Sequence, residues 1–150
     1  MEKLNLKKEN TYEIEVGDKG ETIIFHMDDL ELPFKWNDAF LECQKMTENL
    51  KRQIKVIEKK ENKPHGLLTT QDEEVRKLYK KTFAQMRTIM DGILGKGGCQ
   101  KIFGDNNYLS MFNDLFDALQ PHFEKMGLSM GASVEAIEKK YGNADGSVLE

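Results

Sequence analysis

The sequence is poor in the residues that build reaction centres and covalent staples. Its two cysteines, Cys43 and Cys99, are far apart and belong to no Cys-x-x-Cys pair. Neither a zinc site nor a disulfide framework is therefore expected, and a reducing, intracellular (cytoplasmic) setting is the default. The three histidines, His26, His65 and His122, have no second ligand at metal-binding spacing, so His26 reads as a structural or surface residue, His65 as a solvated loop residue and His122 as an exposed residue. His-Glu-x-x-His is absent. Acidic groups such as Asp28/Asp29, Asp72/Glu73/Glu74 and Asp114/Asp117 fall at turns, helix starts or exposed helix positions, where a carboxylate serves a cap or solvates a face. The expectation is a non-enzymatic binding or assembly protein with no catalytic residue, no cofactor and no metal.

Long apolar runs are lacking too. None approaches the roughly twenty residues of a membrane span, and Met1-Glu2-Lys3-Leu4-Asn5-Leu6-Lys7-Lys8 has no continuous apolar core, which argues against a signal peptide. A formal net charge of −4 argues against a nucleic-acid partner. The lysines from Lys51 to Lys60 are interleaved with Glu48, Glu58 and Glu61 and read as a solvated helix face.

What the sequence has in plenty is amphipathic pattern. At 150 residues, 32% of them charged and 39% hydrophobic, the chain has the length and composition of one soluble domain with its own core. Residues Tyr12 to Val16 alternate, with Tyr12, Ile14 and Val16 on one face and Glu13 and Glu15 on the other. Gly17-Asp18-Lys19-Gly20 makes a turn, and Thr22 to Met27 is a second β-prone run, so residues 11–28 predict a β-hairpin. A lone hairpin must lean on something, either this protein's helices or another subunit's sheet edge.

After Pro33 a helix is expected from about Trp36. Trp36, Phe40, Cys43, Thr47, Leu50, Ile54 and Ile57 form a heptad seam, which either packs within the domain, the reading preferred here, or drives self-association. Asn62-Lys63-Pro64-His65-Gly66 is a loop. Thr70-Gln71-Asp72-Glu73 matches a capping box for the next helix. Apolar residues then recur at three- and four-residue steps, at Val75, Leu78, Tyr79, Phe83, Met86, Met90 and Ile93, and again at Tyr108, Phe112, Leu115, Leu119, Phe123 and Met126. Pro121 should kink or restart that second helix near Gln120. A short helix is expected through Val134, Ile137 and Tyr141, capped by Ser133 and ended by Gly142. Five of the eight methionines, Met86, Met90, Met111, Met126 and Met130, fill a core or line an adaptable groove, with core filling preferred. The architecture expected is mainly α: a single-domain helical bundle of about four helices with an N-terminal β-hairpin. It comprises an N-terminal segment (1–10), the hairpin (11–28), a helical part (34–142) and a flexible tail (143–150).

Between the two striped helices lies Gly95-Lys96-Gly97-Gly98-Cys99-Gln100-Lys101-Ile102-Phe103-Gly104. A phosphate-binding loop would follow a strand and carry Lys-Ser or Lys-Thr after its last glycine; this run follows a helix and carries neither. Its glycines are expected instead to stop the helix in left-handed conformations while Ile102 and Phe103 dip into the core. Gly104-Asp105 turns the chain, and Asp105 or Asn106 caps the helix that follows.

The run Ile89-Met90-Asp91-Gly92-Ile93-Leu94-Gly95-Lys96-Gly97-Gly98-Cys99-Gln100-Lys101-Ile102-Phe103-Gly104, followed by Asn107-Tyr108-Leu109 and Phe112-Asn113-Asp114-Leu115-Phe116-Asp117-Ala118-Leu119, resembles small proteins encoded in the tail-gene region of long-tailed phages and prophages of Gram-positive bacteria. These are regarded as tail assembly chaperones. The resemblance implies a role in virion morphogenesis, binding the apolar-rich tape measure protein and/or the tail tube protein through weak, multivalent contacts. The alternative is a structural virion or connector component that stays in the particle. Gly95, Gly97, Lys101, Ile102, Phe103 and Gly104 are the motif residues, mostly structural, as are Phe112 and Phe116. Partner contacts are expected from the hairpin, at Tyr12, Ile14 and Phe25, and from the last helix, at Ile137 and Tyr141. A homo-oligomer is possible; membrane and nucleic acid are not expected as partners.

Overall fold

The computed structural model describes residues 2–4 and 11–125, and it is mainly α. Strands β1 (Thr11–Val16) and β2 (Glu21–His26) form the expected hairpin, antiparallel, with Tyr12 opposite Phe25 and Ile14 opposite Ile23. Residues directly opposite share a face, so Tyr12, Ile14, Ile23 and Phe25 make one apolar surface. Ile23 and Phe25 are buried and the other two half-buried, because that surface is laid on the protein's own helices. The hairpin leans inward.

Helix α1 (Leu32–Glu58) starts four residues before the expected point. Pro33 stands in its first turn rather than ahead of it, where a missing N–H costs nothing because no carbonyl precedes it in the helix. Along α1, Leu32, Ala39, Cys43, Leu50 and Ile57 are buried. The heptad seam faces the interior of this chain, as preferred.

A two-residue ladder, β3 (Pro64–His65) with β4 (Leu68–Thr69), occupies the expected loop and turns the chain back. Helix α2 (Thr70–Leu94) opens with a capping box, but on Thr69 and Asp72, one residue earlier than expected. The Asp72 amide donates to Thr69 Oγ1 at 3.2 Å and the Thr69 amide to Asp72 Oδ2 at 2.8 Å. Thr70 and Glu73 have other partners: Thr70 Oγ1 accepts from the Lys63 amide at 3.1 Å, and Glu73 meets His65. Both threonines have an acid three residues on, and the tertiary contacts of the turn decide between them. The neighbouring Gln71 side chain donates to the carbonyls of Glu58 (3.3 Å) and Lys60 (2.6 Å), filling acceptors that the end of α1 leaves open.

Helix α3 (Gly98–Phe103) lies within what reads in sequence as a connector, and α4 (Met111–Lys125) begins four residues later than an Asn106 cap would place it. Tyr108 is therefore off the helix stripe and 44% exposed. Pro121 lies inside α4 without ending it. One backbone hydrogen bond is forfeited, yet Leu119 and Phe123 on either side remain buried, and that packing outweighs the loss.

Helices α1 and α2 form an antiparallel pair, and α4 lies across its proximal half through aromatic contacts. Trp36 stands 4.5 Å from Phe116 and 4.4 Å from Phe123, ring centre to ring centre; Phe40 is 5.1 Å from Phe116, and Phe25 of the hairpin 5.3 Å from Phe123. Met86, Met90 and Met111 are buried, so these three serve as core filling. Met126 and Met130, the loop at Gly127 and Gly131, the helix expected around Ile137 and Tyr141 and the tail lie outside the described residues. Beyond about Leu50 and Thr82 the two long helices continue without α4 as an arm that ends in the β3–β4 turn.

Candidate functional site: the glycine joint and the open helical faces

The motif from Ile89 to Gly104 folds as a joint held by two side chains of α2. Helix α2 stops at Gly95, whose φ of 92° few L side chains adopt, and Gly97 takes the left-handed helical conformation at φ 72°, ψ 13°. Gly98 departs from the expected run of left-handed glycines. It is already helical, and it is glycine for want of space: a Cβ there would fall 2.4 Å from Leu94 Cβ. Asp91 Oδ1 accepts the Cys99 amide at 2.8 Å, satisfying a donor at the start of α3 that has no partner within its own helix.

One turn before Asp91, Arg87 spans the far end of the joint. Its Nε donates to Asn107 Oδ1 (2.9 Å), Nη1 to the Gly104 carbonyl (3.0 Å) and Nη2 to the Asn106 carbonyl (2.7 Å), while its guanidinium lies 5.9 Å from the centre of the Phe103 ring. A planar fork of donors suits three acceptors on one bend. Arg87→Ala is expected to lower the unfolding free energy in urea by about 1–2 kcal/mol, and Arg87→Lys to recover less than half of that loss, since an ammonium cannot reach all three. A lysine variant as stable as the native chain would show that charge, not the fork, holds the bend.

The motif residues singled out in the sequence divide between this joint and its attachments. Lys101 Nζ donates to the Thr22 carbonyl at 3.3 Å, tying α3 to strand β2, and the Lys101 carbonyl oxygen lies 2.8 Å from where a Cβ on Gly17 would stand, so the hairpin turn rests on α3. Phe103 sits 6.0 Å from Tyr108 and 6.1 Å from Phe112, and Ile102 is half-buried against the core. Both dip into the core as expected, from a helix rather than a loop. Arg87 lies outside the motif read from the sequence, and Asp91 stands in it with no role assigned. Their signal was present: they lie four residues apart on α2, on the turns that face the returning chain.

The hairpin residues proposed as partner contacts are placed differently from expectation. Phe25 is 2% exposed and cannot meet a partner without unfolding; Tyr12 and Ile14 are half-buried. Tyr12 Oη and His122 Nδ1 are hydrogen-bonded at 3.0 Å, which also corrects the reading of His122 as an exposed residue. The reason is common to all of them: alternation states that a strand has an apolar face, and here the helices cover it. Ile137 and Tyr141 lie outside the described residues.

Both thiols are buried. Burial raises the Cys43 thiol to about 11, helped by Glu42, and the Cys99 thiol to about 12, helped by Asp91, from an ordinary 9.0. The thiolate is the reactive form, so a disulfide-exchange reagent at pH 8 is expected to leave both thiols unmodified in the native protein and to titrate two per chain in denaturant. Because folding raises both values, the stability these two thiols contribute is fully present below pH 9 and is lost as pH climbs from there through 11 and 12. Rapid native-state labelling would show that these cysteines are accessible.

Among the described residues, no group of three His, Cys, Asp or Glu side chains is placed to hold a metal ion, and no helix is long and apolar enough to cross a membrane. Open surfaces lie on both sides of the α1–α2 pair. A cleft of about 230 Å³ between α1 and α4 is lined by Phe40, Phe83, Met86, Phe112 and Phe116, with the exposed Leu109 at its rim. On the opposite side of the α1–α2 pair a groove runs in successive depressions from Ala39 and Ile93, past Met46 and Ile89, to Val56 and Leu78. No family model, curated protein or solved structure matches this chain.

Proposed function

We propose that the protein is a non-enzymatic tail assembly chaperone of a long-tailed phage or prophage, acting in the cytoplasm of the bacterial host. It binds the tape measure protein, the tail tube protein or both while the tail is built. The observation that carries this reading is the run from Ile89 to Gly104, by which the sequence resembles that family. Its glycines, Lys101, Ile102 and Phe103 make one interlocked joint that sets hairpin, α3 and α4 against the α1–α2 pair. A motif spent on architecture leaves the binding to the surfaces it positions. With the apolar face of the hairpin turned inward, those surfaces are helical: the cleft between α1 and α4 and the groove behind the α1–α2 pair. Shallow, partly apolar helical faces suit reversible contact with a long apolar-rich chain, where many modest sites add up.

The test is co-expression with the tape measure protein of the adjoining genes. A tape measure that aggregates alone and becomes soluble in a complex that pulls down with this protein is the expected result. If the tape measure stays insoluble and mass spectrometry finds this protein in finished particles, the connector reading replaces the chaperone reading.

A further inference from the structure

The groove behind the α1–α2 pair has a floor and lips of different chemistry. On α1 the residues facing it step by three and four from Asp38 and Glu42, through Lys45, Met46 and Arg52, to Val56; on α2 they run back from Ile89 to Lys81, Leu78 and Lys77. These are single stripes on two parallel-lying cylinders, so the depressions form one track. Its floor is apolar at Met46, Ile89, Leu78 and Val56, and Val56 is 59% exposed.

Its lips are basic over most of the length, at Lys45, Arg52, Lys60, Lys77 and Lys81, and the one carboxylate at the distal end, Glu74, is paired with Lys60 at 3.3 Å. Lys45, Lys77 and Lys81 have no ion pair among the described residues, and Arg52 has only a loose one to Glu48 at 3.9 Å. Charge is segregated along the whole molecule in the same sense. Between Leu50 and Thr82, ten Lys and Arg stand against five Asp and Glu, a net of +5; the other 12 basic and 21 acidic residues leave −9 for the rest of the chain. An overall charge of −4 therefore hides a basic arm.

From this we infer that the groove receives an amphipathic helix of a partner protein whose exposed face is acidic. The partner's apolar stripe lies on Met46, Ile89, Val56 and Leu78, and its carboxylates meet Lys45, Arg52, Lys77 and Lys81. At the proximal end Asp38 and Glu42 outnumber Lys35, repel that acidic face and favour basic residues there, so the charge gradient fixes which way the helix runs. The apolar floor is what separates this occupant from a nucleic acid, which would need the basic lips but no floor. The docking depends on the groove alone and stands whatever the protein's place in a tail.

The experiment is fluorescence anisotropy of the full chain with synthetic helical peptides of about 25 residues, long enough at 1.5 Å per residue to span the track. One peptide carries a leucine stripe and a glutamate face with two lysines at one end; a second has the same composition scrambled so that no stripe forms. Saturable binding of the first and not the second is expected. Lys77→Glu with Lys81→Glu should weaken it about ten-fold, and Val56→Glu by a similar factor. All three positions are exposed, so the melting temperature should stay within about 2 °C of the native value, which separates lost binding from lost folding. Equal binding of the scrambled peptide, or displacement of the striped peptide by duplex DNA of matched charge, would replace the helix with a polyanion. Light scattering that shows dimers dispersed by the lysine reversals would assign the groove to a second copy of this chain. No binding of the striped peptide, or binding indifferent to the substitutions, would overturn the inference outright.

Discussion

Phe123→Ala is expected to lower the unfolding free energy by about 3–5 kcal/mol, among the largest losses any single truncation should cause here. The residue is 3% exposed and is the point where three elements meet: its ring contacts Trp36 of α1 at 4.4 Å and Phe25 of the hairpin at 5.3 Å, from a position on α4 two residues past Pro121. Alanine would remove the transfer free energy of a large aromatic and leave a cavity that no small movement closes, because Trp36 is held on its other side by Phe116. For a chain of this size the melting temperature should fall by about 10 °C. The hairpin should also loosen first, since its own two strands cannot stand without that contact. Thermal unfolding followed by circular dichroism, with limited proteolysis between Val16 and Glu21, would measure both. A loss under about 1 kcal/mol, or proteolysis no faster than in the native chain, would mean that the C-terminal half of α4 does not carry the hairpin.

Gly98→Ala should cost about 2–3 kcal/mol, while Gly92→Ala, only six residues away, should stabilise by up to about 1 kcal/mol. The two glycines look alike in the sequence. A Cβ at position 98 would meet Leu94 Cβ at 2.4 Å, and neither atom is the free end of a side chain, so α3 would have to move off the end of α2 and strain the Asp91 and Arg87 hydrogen bonds with it. At position 92, in the interior of α2, nothing lies within 4 Å of the added carbon, and alanine simply restores helix propensity. Chemical denaturation of both variants makes the comparison. If Gly98→Ala were as stable as the native protein, α3 would not be seated against Leu94, and the account of the joint would fail.

Periodicity was enough to place the long elements. Apolar steps of three and four found α1, α2 and α4, and alternation found the hairpin, because each pattern is a direct record of which side of an element meets water. Helix ends were less legible. Pro33 is compatible both with stopping an extended segment and with opening a helix, and the Thr69/Asp72 box competes with a Thr70/Glu73 pattern that satisfies the same rule. Only the hydrogen bonds of Thr70 to Lys63 and the contact of Glu73 with His65 break the tie. The proline rule failed at Pro121 because local preference, worth a single hydrogen bond and a tilt, is set against the burial of Leu119 and Phe123 on the same helix.

The candidate site was legible in part. Gly95 and Gly97 end α2 as their residue type suggests, and Ile102 and Phe103 reach the core. The roles of Arg87 and Asp91 were not legible, since a charged pair four apart on a helix reads as surface, and nothing local says that the chain eight and twenty residues on will return to meet it.

Taken by itself, the sequence determined the mainly α class, the hairpin, the apolar seam of α1 and the helix-stopping role of the glycines, all of which depend on residues near one another in the chain. Tertiary structure alone decided that the hairpin's apolar face is spent on this protein's own helices, that Gly98 is a matter of space rather than of φ, and that lysines scattered over two helices line one track. Those outcomes follow from contacts between residues many positions apart, and a one-dimensional pattern records which face of an element is apolar without recording what comes to cover it.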